Sequence, residues 1–189
     1  MSDTNTTPFS DVYDSFLSKI TDDMYMELTQ EDTYKMLEDL LISSIPKFEF
    51  PRINLFDYVR GTTEEVETAA IDEETGEEEN EITNEYTVGY FNAELTMEEI
   101  NILATYMIVE WLGQQLASVE NTRMKYSGTD FKFTSQANHM QKLLVIKKDY
   151  EREGFHLQRL YKRRKTDGNG GPKSTLNMIM APIQKGGNK

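Results

Sequence analysis

The stretch Leu95–Leu116, LTMEEINILATYMIVEWLGQQL, decides the fold. Thr96 and Glu99 match the T-x-x-E capping box, in which each side chain satisfies the other residue's free backbone amide at a helix start. Apolar residues then recur at three- and four-residue spacing, so they share one face of a helix. Because so wide a stripe must be buried against other helices, it predicts the core of the domain. The predicted core residues are Ile100, Leu103, Met107, Ile108, Trp111 and Leu112.

Three further helices are predicted around this one. The apolar spacing of residues 9–20 indicates a short amphipathic helix, and a second helix at about 30–45 starts at a Thr29/Asp32 capping pair and stops at Pro46. Thr134 or Ser135 is predicted to cap a final long helix, in which Gly154 marks a bend or a close contact. The apolar side predicted for that last helix includes Leu143, Leu144, Ile146, Tyr150, Leu157 and Tyr161.

An acidic hairpin is predicted between the second and third helices, at about 52–92. Residues 64–85 hold eleven carboxylates and no basic residue, between two alternating segments at 54–59 and 86–91. Ahead of it, KFEFPRINLFDY at 47–58 is predicted to be an edge strand or an extended arm, because Pro51 cannot donate a ladder hydrogen bond. The residues predicted at the acidic hairpin tip are Asp72, Glu73, Glu74, Glu77, Glu78 and Glu79.

Calcium binding is the sharper reading of the acidic tip, but the spacing argues against it. An EF-hand loop needs oxygen ligands at positions 1, 3 and 5, glycine at 6 and glutamate at 12. Counted from Asp72, the glycine falls at position 5 and Thr83 occupies position 12. A solvated, self-repelling loop is therefore the preferred interpretation.

The charge of the chain is divided along its length. The net charge is −13, yet residues 1–122 hold 5 Lys/Arg against 28 Asp/Glu, a net −23, and residues 123–189 hold 15 against 5, a net +10. Such polarity suits head-to-tail association between copies, or a partner that meets one half only. The alternative is a protein with unevenly charged solvated faces.

The C-terminal end carries two candidate contact segments. The basic contact cluster could bind phosphates or an acidic protein surface, or could simply favour a helix C-terminus; it comprises Arg159, Lys162, Arg163, Arg164 and Lys165. Beyond it, residues 166–189 contain Gly and Pro and are predicted to form an extended docking arm, separate from a helical domain at 1–165. The predicted partner-docking residues are Leu176, Met178, Ile179, Met180 and Ile183.

Signals for catalysis, for a metal or for a membrane are missing from the sequence. With zero cysteines the chain has no disulfide, thiolate metal site or cysteine nucleophile. His139 and His156 lie seventeen residues apart on one predicted helix, and no phosphate-binding glycine loop, nucleophile elbow or H-E-x-x-H motif occurs. Residues 1–10 lack a secretory pattern, and no apolar run reaches membrane-spanning length. The expectation is a non-enzymatic protein without cofactors or membrane contact, made in the cytoplasm.

The order of elements resembles the head-tail connector (adaptor, or neck) proteins of tailed bacteriophages. The resemblance covers roughly residues 9–165 and rests on FEFPRINLFDY at 48–58, the 95–116 stretch, SVENTRMKYSGTDFKFTSQANHMQKL at 118–143 and HLQRLYKRRK at 156–165. These are packing and capping patterns without a catalytic signature. The fold expected is therefore mainly α, a small bundle of about four helices with a protruding acidic β-hairpin and an extended C-terminal arm.

The resemblance also implies a location and a set of partners. Connector subunits form a ring, dodecameric in that family, beneath the portal, where they join the capsid to the tail and let DNA pass. The implied partners are other copies of the chain, the portal protein and the next neck or tail-completion protein, with residues 166–189 as the portal-docking arm. The acidic hairpin would face the channel, the neighbour or the next ring. The implied location is the virion neck.

A physical reason makes this expectation coherent, and two alternatives stay open. Carboxylates lining a channel repel DNA phosphates, so the genome passes without specific binding. The chain could instead be another neck component, such as a stopper or tail terminator, although those proteins are usually richer in strand. It could also be a nucleic-acid-binding or regulatory module that uses the basic contact cluster.

Overall fold

The structure, a computed structural model, describes residues 6–20, 28–71, 78–125 and 133–164. Within these ranges four α-helices dominate, which confirms the mainly α class. The described elements, in chain order, are β1 (Thr7–Pro8), α1 (Phe9–Leu17), α2 (Gln30–Ser44), a 3-10 turn (Ile45–Lys47), β2 (Tyr58–Val59), β3 (Thr62–Ile71), β4 (Glu78–Thr87), β5 (Tyr90–Phe91), α3 (Met97–Lys125) and α4 (Phe133–Arg163).

Helix α3 is the centre of the core, as its sequence predicts. Its start is the expected capping box: the Thr96 backbone N–H donates to Glu99 Oε2 at 2.8 Å, and the Glu99 N–H donates to Thr96 Oγ1 at 3.3 Å. Five of the six predicted core residues are buried, and Trp111 is partly buried against them. Burial is nevertheless continuous over residues 102–109, so it goes beyond one stripe. The reason is that α1, α2 and α4 all pack on α3.

Helices α1 and α2 follow their predicted boundaries closely. In α1 the buried residues are Phe9, Val12, Tyr13 and Phe16, at helical spacing. Thr29 caps α2 by accepting the Asp32 N–H at 3.1 Å, and the helix gives way to a 3-10 turn that contains Pro46. Both predictions are confirmed.

The predicted hairpin is divided into two sheets. The long part, β3 and β4, is antiparallel and pairs Thr62 with Thr87 and Ile71 with Glu78. Of the predicted tip residues, Glu78 and Glu79 begin β4, whereas those at 72–77 lie outside the described residues. After a short interruption the flanking residues continue the pairing in the same register, with Tyr58 opposite Phe91 and Val59 opposite Tyr90. Strand β1 pairs with the other edge of β5, which gives a three-stranded antiparallel sheet in the order β1-β5-β2.

Gly89 shows why the two sheets separate. A Cβ at this position would lie 2.5 Å from the Val59 carbonyl oxygen and 2.8 Å from both the Gly61 nitrogen and the Phe9 ring. The Gly89 carbonyl also accepts the Phe9 N–H at 2.8 Å. Only a glycine allows the chain to pass this close to its neighbours, so the ladder is interrupted here and the N-terminal strand β1 joins the sheet.

Helix α4 corrects two predictions. It already includes Phe133, so Thr134 and Ser135 lie within the helix and not at the position before its first residue. Leu144 and Ile146, predicted on its apolar side, are 40% and 43% exposed. Leu143, Tyr150 and Leu157 pack against the core, and Tyr161 is buried, as predicted.

The remaining C-terminal predictions fall beyond α4. Lys165, the arm at 166–189 and the predicted docking residues at 176–183 lie outside the described residues. His139 and His156 are both exposed on α4. None of the described helices combines the length and apolar character needed to cross a bilayer.

Candidate functional site

A buried carboxylate holds the base of the hairpin on α2. The Glu38 side chain is only 4% exposed and accepts three hydrogen bonds: from Arg60 Nε at 2.5 Å, from the Gly61 N–H at 2.8 Å and from the Tyr86 hydroxyl at 2.9 Å. Arg60 and Gly61 precede β3, whereas Tyr86 belongs to β4. One side chain therefore fixes both strands of the hairpin to the helical body. We call Glu38, Arg60, Gly61 and Tyr86 the hairpin clamp.

Further contacts along α2 extend the hairpin clamp. The Thr63 hydroxyl donates to Glu31 Oε1 at 2.9 Å, and the Tyr34 and Tyr86 rings are stacked with centroids 5.5 Å apart. Asp39 accepts a second guanidinium bond from Arg60 at 2.9 Å. Because four residues of α2 take part, the direction in which the hairpin leaves the body is set by the helix.

The hairpin clamp perturbs the tyrosines beside it. Burial, followed by the hydrogen bond to the Glu38 carboxylate, raises the pKa of Tyr86. Burial and then the Glu38 charge raise the pKa of Tyr13. The Tyr13 hydroxyl has no hydrogen-bond partner among the described residues, although it is buried. Both phenols therefore stay protonated well above pH 10, the usual tyrosine value.

A second polar cluster fixes the C-terminal half of α4 to the segment after α2. Gln158 is buried, and its Nε2 donates to the Lys47 carbonyl at 2.8 Å and to the Tyr106 hydroxyl, while its Oε1 accepts the Glu49 N–H at 2.8 Å. The start of the segment predicted as an edge strand or extended arm is thus bonded by a side chain of α4, whereas its last residue, Tyr58, belongs to β2 and pairs with β5.

Tyr161 completes this cluster. Its hydroxyl donates to Glu99 Oε1 and accepts the Arg52 N–H at 3.1 Å. The Arg52 guanidinium lies 4.2 Å from the Tyr161 ring centroid and donates to the carbonyls of Tyr161 at 2.8 Å and Arg164 at 2.7 Å. Arg52 therefore caps the C-terminus of α4, where a cation is favoured. We call Arg52, Glu99, Tyr106, Gln158 and Tyr161 the α4 clamp.

Burial raises the pKa of Tyr161, and the hydrogen bond to Glu99 raises it further. Glu99 thus has two tasks, since the same side chain closes the capping box of α3. No short sequence spacing could reveal this cluster, because Arg52 and Tyr161 are 109 residues apart. The one local sequence signal for this cluster is a polar residue within an otherwise apolar helical face, such as Gln158 beside Leu157.

The basic contact cluster lies at the end of α4, next to the α4 clamp. Arg159, Lys162, Arg163 and Arg164 are all exposed. Three of them already make contacts within the chain: Lys162 Nζ lies 3.8 Å from the Phe50 ring centroid, the Arg159 guanidinium lies 5.9 Å from the Phe155 ring centroid, and Arg164 pairs with Glu98 at 3.3 Å. Arg52 adds a further cation here that was not predicted from the sequence.

The two clamps position elements and leave their carboxylates engaged. Glu38 and Glu99 are the buried acids of the described core, and each already accepts hydrogen bonds from groups that hold the fold together. In the described ranges, no group of three or more His, Cys, Asp or Glu residues is arranged to hold a metal ion. What the arrangement provides is a fixed placement of an acidic hairpin and of a basic helix end.

Comparison with known proteins adds no relative: no family model matches the chain, and neither a curated protein nor a solved structure does.

Proposed function

We propose that this chain is a structural virion protein, a head-tail connector (adaptor) subunit that forms a ring under the portal, joins capsid to tail and lets DNA pass. The observation that carries the proposal is the fixed separation of charge. The hairpin clamp holds an acid-rich hairpin on α2, and the α4 clamp holds a basic helix end elsewhere on the same body. A polar network that fixes the positions of oppositely charged surfaces favours a role in assembly.

The acidic hairpin gives the proposed ring a DNA-repelling element. The hairpin strands at 62–71 and 78–87 carry seven of the eleven carboxylates between residues 64 and 85, with no basic residue among them. Carboxylates along a channel weaken phosphate binding, so DNA slides without sticking. Anchoring both strands at Glu38 would keep this surface at a set angle from one subunit to the next.

Binding to the portal protein is the first property to test. Full-length chain and a chain ending at Lys165 should be mixed with the portal protein of the same virion, and binding measured by sedimentation. We expect the full-length chain to co-sediment with the portal and the shortened chain to lose most of that binding. Equal binding of the two would reject residues 166–189 as the docking arm, and no binding of either would reject the connector function.

A nucleic-acid-binding module is the second candidate, favoured by the exposed cations Arg159, Lys162 and Arg163 on one helix end. A fluorescence anisotropy titration with duplex DNA separates the two functions. Binding that uses these cations would fall steeply with salt, because each neutralised phosphate releases counterions. The connector proposal expects no measurable specific binding. A mainly α fold counts against a stopper or tail terminator.

A further inference from the structure

One face of α4 combines exposed apolar and basic side chains. Leu144, Val145 and Phe155 are 40%, 50% and 49% exposed, although each is large enough to favour burial. Lys148, Arg152 and Arg159 are exposed between and beyond them, at spacings of three and four residues that place all six on one side of the helix. The residues that pack on α3 lie on the opposite side, among them Tyr150, Gly154 and Tyr161. We call the six exposed residues the α4 face.

The cations of the α4 face are only lightly engaged within the chain. Arg152 makes an exposed pair with Asp149 at 3.2 Å, and the Arg159 guanidinium lies 5.9 Å from the Phe155 ring centroid. Glu151, on the flank, is paired with Lys147. Exposed pairs of this kind contribute little, so the positive charge remains available to a partner.

A second exposed apolar surface occurs on the three-stranded sheet, and it is acidic. The sheet register places Pro8, Tyr90 and Val59 side by side in one row, on the face opposite to buried Phe91. All three are exposed, and so are two nearby acids. Asp57 lies two residues before Val59 and accepts a hydrogen bond from Asn92 Nδ2 at 2.7 Å, and Glu94 belongs to the segment that Thr7 bonds beside β1. The nearby cation, Arg60, is already bound to Glu38 and Asp39. We call Pro8, Asp57, Val59, Tyr90 and Glu94 the sheet row.

The two surfaces match in size, polarity and charge. The apolar residues of the α4 face span about 16 Å along the helix axis at 1.5 Å per residue. Three strands spaced about 4.8 Å apart give an apolar row roughly 10 Å across, before side chains are counted. The α4 face alternates apolar residues with cations along the helix, whereas the sheet row combines apolar residues with carboxylates. Apolar contact together with complementary charge is the usual composition of a specific interface.

We propose that the α4 face of one copy docks on the sheet row of the next copy, as the repeated contact between neighbours. The inference rests on the proposed function and deepens it by naming the two surfaces. Because they are different patches of the same chain, the contact is heterologous and adds copies head to tail, which is the kind of contact that closes a ring. Association is expected to weaken with salt, since exposed charges are screened.

A charge exchange between the two surfaces tests the contact. The variants are Arg152→Glu on the α4 face and Glu94→Lys in the sheet row, with Lys142→Glu on α4 and Glu120→Lys on α3 as matched reversals of exposed charges elsewhere. Sedimentation velocity of full-length chain at about 100 µM and low salt gives the oligomeric state, because assembly depends on protomer concentration. Circular dichroism and melting confirm that each variant is folded.

We expect wild type and both controls to assemble, and Arg152→Glu and Glu94→Lys each to weaken association about tenfold or more when alone. Mixing these two variants should restore part of it, since the reversed charges then face each other. Folded variants that assemble like wild type would overturn the proposed contact.

Two further outcomes separate this inference from the proposed function. A wild-type chain that stays monomeric under these conditions, yet binds portal protein, would overturn the contact and leave the connector function standing. A chain that assembles through these surfaces but does not bind the portal protein would support the contact and overturn the connector function.

Discussion

The hairpin clamp and the α4 clamp each use a buried glutamate, but in different surroundings. Glu38 meets a guanidinium that is 58% exposed, so it works as an ion pair at the edge of the body. Glu99 meets the Tyr161 phenol and its own helix start, inside the packed core. The hairpin therefore depends on an ion pair at the edge of the body, whereas the end of α4 depends on packing volume and on hydrogen bonds between side chains of the core.

The largest effect is expected from filling the α4 clamp. A Cβ at Gly154 would lie 2.8 Å from Tyr106 Cζ, and the Tyr106 ring is held in place by Gln158. Gly154→Val should therefore lower the free energy of unfolding by about 3 kcal/mol, as overpacked cores do. Urea denaturation followed by circular dichroism measures the change.

Gly113 on α3 is the matched control for this substitution. The nearest atom to a Cβ there is Lys147 Cε at 3.6 Å, an ordinary contact with a flexible side chain. Gly113→Ala should stabilise the chain by about 0.5–1 kcal/mol, because alanine is the better helix former. Equal effects at the two glycines would contradict a packed α4 clamp.

The second largest effect is expected from removing the charge of Glu38 in the hairpin clamp. Glu38→Gln keeps the shape of the side chain but removes the charge that Arg60, the Gly61 N–H and Tyr86 share, and we expect a loss of about 2 kcal/mol. Asp39→Asn removes the other acid bound to Arg60, but Asp39 is 70% exposed, so a loss below about 0.5 kcal/mol is expected. If thermal unfolding showed similar losses for both, Glu38 would not be the anchor.

A smaller effect is expected for the phenol of the α4 clamp. Tyr161→Phe keeps the ring against Phe48, whose centroid is 5.4 Å away, and removes the bonds to Glu99 and Arg52. The expected loss is about 1 kcal/mol in urea denaturation, the usual net value of a hydrogen bond. Glu99 keeps its capping-box bonds in this variant, so the loss should stay small. If Tyr161→Phe lost as much unfolding free energy as Gly154→Val, hydrogen bonding and not packing would dominate the α4 clamp.

The smallest effect on stability is expected at alkaline pH and concerns Tyr86 of the hairpin clamp. The pKa of Tyr86 is raised in the fold, so the unfolded chain gives up this proton at about pH 10 while the folded chain keeps it. Stability from Tyr86 is therefore complete below pH 10 and falls as the pH rises above it. Between about pH 9 and 11 the melting temperature of Tyr86→Phe should fall by about 2 °C less than that of the parent. Parallel curves would contradict the role of Tyr86.

The sequence predicts the elements better than it predicts their contacts. Helix boundaries follow from local signals, such as the Thr96/Glu99 capping box and Pro46, because capping and backbone limits act within a few residues. The close contact at Gly154 also follows from sequence. The pairing of β1 with β5 does not, since two-residue strands carry no alternation to detect.

The candidate site was predicted only in outline. The basic contact cluster and the acidic hairpin are visible as charge runs, yet Glu38 looks like any other acid on a helix until Arg60 and Tyr86 are brought to it. Leu144 was predicted on the packed side of α4 because spacing alone cannot tell a core-facing stripe from an exposed one. Long-range contacts decide both questions.

Electron microscopy of the full-length chain bound to the portal protein of the same virion tests the claim of assembly most directly. We expect a closed ring of copies beneath the portal and coaxial with it, with the acidic hairpins at regular angles. Portal particles without added density, or with single copies bound at irregular positions, would contradict it.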